Sequence, residues 1–218
     1  EVDSKNVASI RSGPSFFKIN GLPHEEFPRL QQLENAKEFT LPQAALRDGL
    51  KKTSYAISTD ESRFVLNGIL FSFKENRLTL VATDGRRLAM AGLETEFPRS
   101  QEVDFILPTK AVNELERILG TEGEVKIAAT PSHAGFDLGP MFLLTKLVDG
   151  NYPNYRQVLP GDPKERITLE RENFLNAVHR VSLLATDKSN SIKMVFGKGT
   201  LDISANTPDV GEAKESLA

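Results

Sequence analysis

Leu78-Thr79-Leu80-Val81-Ala82-Thr83-Asp84-Gly85-Arg86-Arg87-Leu88-Ala89-Met90 reads as a strand, a tight turn and a second strand. Leu78, Leu80 and Ala82 alternate with other positions on the way in, and Leu88 and Met90 resume the alternation on the way out. A period of two over such a run predicts a half-buried hairpin. Asp84-Gly85 supplies the turn, because Gly reaches positive φ without a Cβ penalty and Asp bonds back to nearby backbone. Turn chemistry does not call for Arg86, Arg87 and Leu88 immediately afterwards. That surplus makes Thr83 to Leu88 the first candidate for function.

The hairpin sits inside a longer pattern that occurs twice. Phe39-Thr40-Leu41 opens a helical pattern continued by Leu46, Leu50, Thr53 and Ile57. Ile167-Thr168-Leu169 opens another, continued by Phe174, Val178, Val181 and Ala185. Both follow helical spacing. Each leads into an apolar β-like run (Ile69 to Phe73; Ile192 to Phe196), a polar turn and a second strand (Leu78 to Ala82; Leu201 to Ala205). The apolar segments Phe16 to Ile19 and Met141 to Leu144 correspond in the same way. A repeat of this length is domain-sized, unlike the ~20–50-residue units of solenoids. Residues 1–35 then form the end of one copy, 36–160 a complete middle copy, and 161–218 the start of a third.

Within the middle copy a second helix fits Pro108 to Leu119, with Val112, Leu115 and Leu119 as its stripe and Gly120 as its cap. Short strands are expected at Glu124 to Ala129, Gly135 to Leu138 and Met141 to Thr145. The predicted class is α+β, with two helices packed on antiparallel sheet in each unit. Pro160-Gly161-Asp162-Pro163 reads as a linker.

Composition excludes several classes of function. The 218 residues are 39% hydrophobic and 26% charged, with a net charge of −3 and no cysteine. Disulfides, thiolate metal sites and thiol nucleophiles are therefore absent, which fits a reducing compartment. No apolar run approaches the ~20 residues that span a bilayer. The first residues lack the basic-then-apolar plan of a signal peptide, and the missing initiator Met predicts a fragment. Mild acidity argues against a protein held on DNA by charge alone.

Catalytic chemistry is sparse. His24, His133 and His179 are isolated, and no P-loop, dinucleotide fingerprint or nucleophile elbow occurs. No cofactor and no metal site is expected. Asp84 could serve a phosphate or metal turn, which leaves a metal-dependent hydrolase as a rival reading; a plain Asp-Gly turn is the simpler one. Arg47, Lys51 and Lys52 sit opposite the Leu46/Leu50/Ile57 stripe, and Lys110 and Arg117 lie off the Val112/Leu115/Leu119 stripe. These make either an ordinary solvated face or a weak positive surface that touches phosphates without reading bases. The Pro-bounded run from Pro153 to Leu159 is either a connector packing on its own core or the border of an apolar groove.

Taken together, Thr83-Asp84-Gly85-Arg86-Arg87-Leu88-Ala89, the preceding Leu66-Asn67-Gly68, the later Lys146-Leu147-Val148-Asp149-Gly150-Asn151-Tyr152-Pro153-Asn154-Tyr155-Arg156, and Phe39-Thr40-Leu41-Pro42-Gln43 resemble the bacterial DNA polymerase III β subunits, the sliding clamps. The similarity runs through the whole chain and accounts for the repeat, since each clamp subunit resembles three copies of one domain. The resemblance implies a non-catalytic processivity factor: a head-to-tail homodimeric ring around double-stranded DNA, bacterial, cytoplasmic and nucleoid-associated. It would tether DNA polymerase, clamp loader subunits and repair proteins through short linear peptides, without a membrane. A ring holds DNA topologically, so weak sequence-blind contacts suffice and the mild acidity is no obstacle.

The resemblance also implies three surfaces. Helices line the hole, so Arg47, Lys51, Lys52, Lys110 and Arg117, with Arg63 in the following loop, become DNA-facing candidates. A partner-peptide pocket between the second and third copies would use Leu66, Thr83, Gly85, Arg86, Arg87, Leu88, Pro153, Gln157 and Val158. Gln157 stands where the family commonly carries a basic residue. Phe17 and Ile19 match apolar positions of the dimer interface, and Leu217 matches the opposing surface. A peptide-binding module that never touches DNA is the second rival.

Overall fold

A computed structural model describes residues 1–27, 33–185 and 191–218. The chain divides into two units, Glu1–Val158 and Leu159–Ala218. The first opens with a hairpin of β1 (Val7–Ser12) and β2 (Ser15–Asn20). It continues through β3 (Lys37–Pro42), α1 (Gln43–Lys51), β4 (Gly68–Lys74), β5 (Arg77–Thr83), β6 (Leu88–Glu94), β7 (Val103–Pro108), α2 (Thr109–Ile118), β8 (Glu124–Ala129), β9 (His133–Asp137) and β10 (Phe142–Lys146). Two antiparallel four-stranded sheets result, ordered β6-β5-β4-β7 and β10-β9-β8-β3. The second unit repeats the helix-then-strands succession as α3 (Arg171–Ser182), β11 (Lys193–Gly197), β12 (Thr200–Thr207) and β13 (Gly211–Leu217). The α+β expectation holds.

Both sheets bury one face against α1 and α2. Val125, Ile127 and Ala129 alternate inward on β8, while β4 is buried along almost its whole length. Phe39, Phe73 and Phe97 pack in one aromatic cluster, and Phe71 stacks on Phe105 with centroids 5.1 Å apart. Leu46, Leu50, Val112 and Leu115 close the core from the helix side. Burial of such side chains contributes about 1.5–3 kcal/mol each.

The first helix departs from expectation at both ends. Phe39-Thr40-Leu41 belongs to β3, not to a helix, because Phe39 and Leu41 alternate inward and pair with Ile127 and Val125 of β8. Pro42 takes the N-cap position of α1, where its missing N–H costs nothing. The helix stops at Lys51 rather than running to Ile57. Thr53 Oγ1 donates to the carbonyls of Gly49 and Leu50 at 2.9 and 3.1 Å, capturing acceptors that an ending helix leaves open. A short 3-10 turn, Ser54–Ala56, follows.

Gly120 does not cap α2, since Leu119 leaves the helix in extended conformation. The buried Gln43 of α1 instead ties down the segment that leaves α2. Its Oε1 accepts the Gly120 N–H at 2.8 Å, its Nε2 donates to the Glu124 carbonyl at 3.1 Å, and its backbone N–H donates to Gly123 at 2.9 Å. One side chain thus clips the start of α1, the exit of α2 and the start of β8.

The β5–β6 hairpin forms, with a register that reassigns its outgoing strand. Thr83 pairs with Leu88, so four loop residues separate the strands. Leu88 therefore shares a sheet face with Thr83 and Val81, whereas Ala89, Ala91 and Leu93 face the core beside Ala82, Leu80 and Leu78. Met90, expected to continue the inward alternation, is 49% exposed. The outer face carries a row of Ile106, Leu70 and Val81, all buried although they point away from α1. Their cover is the strap 147–158, anchored where the Val148 N–H donates to the Ile106 carbonyl at 3.0 Å. A cavity of about 260 Å³ remains under the strap, lined by Ser72, Asp104 and Tyr152 among others.

Candidate functional site

Three segments of the first unit converge at the loop end of the β5–β6 hairpin: the 3-10 turn Glu61–Leu66, the corner Thr83 to Leu88, and the strap. Asp84 organises the corner. Its Oδ1 accepts the N–H groups of Arg86 and Arg87 at 2.9 and 3.0 Å, and its Oδ2 accepts Arg87 Nε at 3.0 Å. The Arg87 and Arg86 amides, in that order, hold the Asp84 carboxyl down at about 2 from 3.8. Thr83 Oγ1 completes the loop by donating to the Arg87 carbonyl at 2.7 Å and accepting the Gly85 N–H at 3.1 Å.

Gly85 turns the chain at φ +86°, a region that side chains avoid. A Cβ there would also stand 2.7 Å from Arg63 Nη1. Arg63, expected among the DNA-facing residues, also reaches this corner: Nη1 donates to the Asp84 carbonyl at 3.3 Å and Nε lies 3.3 Å from Asp60 Oδ2. It links the 3-10 turn to the hairpin. Leu66 closes the same turn and is buried.

The strap meets both other segments. Gly150, at φ +119°, approaches so closely that an added Cβ would lie 2.9 Å from Val65 Cγ1. Tyr152 buries its hydroxyl without a well-formed hydrogen bond. Burial pushes that phenol up to about 12, and the Thr83 backbone N–H offsets only part of the effect. Pro153, Gln157 and Val158 are exposed beyond it, Leu88 is half-buried, and Gly85, Arg86 and Arg87 are exposed. The pocket candidates thus combine an apolar set (Leu66, Leu88, Pro153, Val158) with a cationic rim. Arg63 at this corner and Tyr152 beneath it escaped sequence reasoning, since both act through contacts distant along the chain.

The helix candidates are not equivalent. Lys51 and Lys110 are exposed and, among the described residues, make no ion pair. Lys52 lies 2.5 Å from Asp48, and Arg117 forms a two-pronged pair with Glu114 that lowers the Glu114 carboxyl. Arg47 is half-buried, its Nε shielded and unpartnered. On β2, Phe17 and Ile19 are 57% and 52% exposed. Leu217 lies half-buried on β13, opposite Leu201 and against the core of the second unit.

Among the described residues no three His, Asp or Glu side chains gather to hold a metal. Asp84 is engaged by three donors, which makes it a structural cap. No helix among the described residues is long and apolar enough to cross a membrane.

Comparison with known proteins gives the family. The profile of the DNA polymerase III beta subunit central domain matches residues 40–154, and that of its C-terminal domain matches 156–218. The beta sliding clamp of Chlamydia muridarum is 35% identical over 99% of this chain, and that of Bacillus subtilis 32% identical over all of it. The chain spans 59% and 58% of those two relatives. Among solved structures, a sliding clamp from Bartonella birtlesii bound to griselimycin superposes with a TM-score of 0.90 at 35% identity, covering 99% of this chain and 59% of that one. The DNA polymerase III beta subunit from Pseudomonas aeruginosa gives 0.91 at 32%, covering all of this chain and 59% of that one. With family profiles matching nearly the whole chain, the chain belongs to the DNA polymerase III beta subunit family, the bacterial sliding clamps.

Proposed function

We propose that the chain is part of a DNA polymerase processivity clamp. The complete protein encircles double-stranded DNA as a head-to-tail homodimer and docks DNA polymerase and clamp loader subunits through short peptides. Residues 1–35, 36–160 and 161–218 correspond on this reading to the end of a first clamp domain, a complete second and the start of a third. The protein has no catalytic task and works in the bacterial cytoplasm, at the nucleoid.

The observation that carries the reading is the corner itself. Asp84, Thr83 and Arg63 hold the 83–88 loop in one shape and leave Leu88 on the outer sheet face. A preorganised corner with apolar residues beside it suits capture of a peptide that inserts Leu or Phe anchors. The binding of griselimycin by the Bartonella relative is consistent with a ligand-binding surface in this family.

On the DNA side, Lys51 and Lys110 are the strongest candidates, with Arg47, Lys52 and Arg117 weakened by burial or pairing. Phosphate contacts of this sort are sequence-independent and salt-sensitive, as sliding requires. Reversing Arg47, Lys51 and Lys52 to Glu in the full-length protein should reduce clamp loading and processive synthesis. Unchanged processivity would remove the DNA-face assignment and leave a peptide-binding module. For the pocket, Leu88→Ala should weaken a clamp-binding peptide by about 2 kcal/mol. Equal affinities in an anisotropy titration would overturn that assignment.

A further inference from the structure

Two polar atoms on the helix layer are buried and, among the described residues, have no hydrogen-bond partner: Arg47 Nε on α1 and Glu116 Oε1 on α2. They belong to groups of opposite charge at matching positions. Gln43 at the start of α1 accepts the Gly120 N–H just beyond α2, and Thr109 at the start of α2 donates to Asn67, beyond the end of α1. The helices therefore pack antiparallel. One turn into α1 from Gln43 stands Arg47, and one turn back along α2 from Gly120 stands Glu116. The two face each other across the seam. Lys52 already pairs with Asp48 and Arg117 with Glu114, while Lys51 and Lys110 make no ion pair among the described residues. Five cations and three carboxylates leave two positive charges on this layer, and Glu116 is its carboxylate without a partner among the described residues.

We propose that Glu116 is a positioning residue that competes with DNA phosphates for Arg47. The inference rests on reading α1 and α2 as DNA-facing. Neither buried atom bonds the other in this conformation. A buried charged group left unsatisfied is costly, so each favours the other as partner. Rotation about two long side chains brings the guanidinium onto the carboxylate, which offers the same two-oxygen edge as a phosphate. Without DNA, the pair withdraws one positive charge from the surface. A phosphate approaching Arg47 has to displace Glu116, so the contact gains little and is released readily. Weak, exchangeable contacts of this kind suit a ring that slides. Lys51 and Lys110, with no carboxylate paired to them among the described residues, then supply the standing attraction.

The test measures binding of the full-length protein to a short linear duplex by anisotropy, across about 50–200 mM NaCl. Glu116→Gln should tighten binding about two- to fivefold at the lowest salt. It should also steepen the slope of log affinity on log salt by about 0.9, the signature of one more phosphate contact. Glu116→Ala should do the same, which assigns the effect to the lost carboxylate rather than to the new amide. Arg47→Gln alone should change the slope little, and in the Glu116→Gln background it should abolish the gain. A gain that survives in that double variant reflects bulk charge and overturns the assignment. So does an unchanged slope in both Glu116 variants while Lys51→Glu with Lys110→Glu weakens binding. If that lysine pair leaves binding unchanged, the DNA-facing reading itself fails.

Discussion

Gly85→Ala probes the corner at the point where backbone and side chain constrain it together. At φ +86° a residue with a Cβ pays about 1–2 kcal/mol relative to Gly. The new Cβ would also fall 2.7 Å from Arg63 Nη1. That atom ends a flexible side chain, so Arg63 can swing aside at the expense of its exposed contacts with Asp60 and the Asp84 carbonyl. Such contacts add little to stability, so the backbone should dominate. The expected loss is therefore about 1–2 kcal/mol, with or without Arg63. Because the chain has two units, a single unfolding free energy is poorly defined. Native-state hydrogen exchange at β5 and β6 amides measures the loss locally. The decisive comparison is a double-mutant cycle with Arg63→Ala. Coupling under about 0.5 kcal/mol supports backbone strain as the cause. A cost that disappears in the Arg63→Ala background would trace it to the clash and refute the argument.

Other positions give sharper or smaller effects. Glu75 and Asn76 join β4 to β5 with φ of +54° and +55°, the signature of a type I′ turn, in which Glu is a poor first residue. Glu75→Asn should stabilise the hairpin by about 0.5–1 kcal/mol, and a lower denaturant midpoint would contradict this. Asp84 has a folded-state pKa of about 2, below its 3.8 reference, so its contribution is present above 3.8 and disappears as pH falls through 2. The Tm gap between the parent and Asp84→Asn should accordingly be wide at neutral pH and close between pH 4 and pH 2; a pH-independent gap would show that the charge is irrelevant. Tyr152→Phe removes a buried hydroxyl that lacks a good partner, so stability should hold or rise. A drop of more than about 1 kcal/mol would mean the hydroxyl has a partner after all.

What the sequence discloses depends on how local the determining interaction is. Strand β8 could be read to the residue, Glu124 to Ala129, because Val125, Ile127 and Ala129 alternate without interruption. Phe39-Thr40-Leu41 misleads because three residues fit a helix or a strand equally well. What decides is the pairing of Leu41 with Val125, more than eighty positions away, together with Pro42. The face taken by Leu88 depends on loop length. Four residues between Thr83 and Leu88 place it outward, and nothing in Arg-Arg-Leu reveals the register. Corner residues were legible as chemistry in excess of a turn. Arg63 as a strut and Tyr152 as a buried phenol were not, because each is defined by a contact with a different segment.

The second unit closes the corresponding strand pair differently. There Thr207 pairs with Gly211 and the loop is Pro208-Asp209-Val210, three residues against the four of Asp84-Gly85-Arg86-Arg87. Its threonine also bonds differently: Thr207 Oγ1 donates to the Leu184 carbonyl beyond α3, while Thr83 Oγ1 donates within its own loop, to Arg87. The same strand pair can therefore be closed with fewer residues, no arginine and no carboxylate cap. In the first unit the loop instead folds on itself, fixing its own backbone through Asp84 and Thr83 independently of the neighbouring helix. With the loop backbone held by Asp84, Thr83 and Arg63, the side chains of Arg86 and Leu88 take no part in closing it. Strand closure alone does not call for the two arginines and Leu88, and a preorganised corner is what the proposed docking site needs.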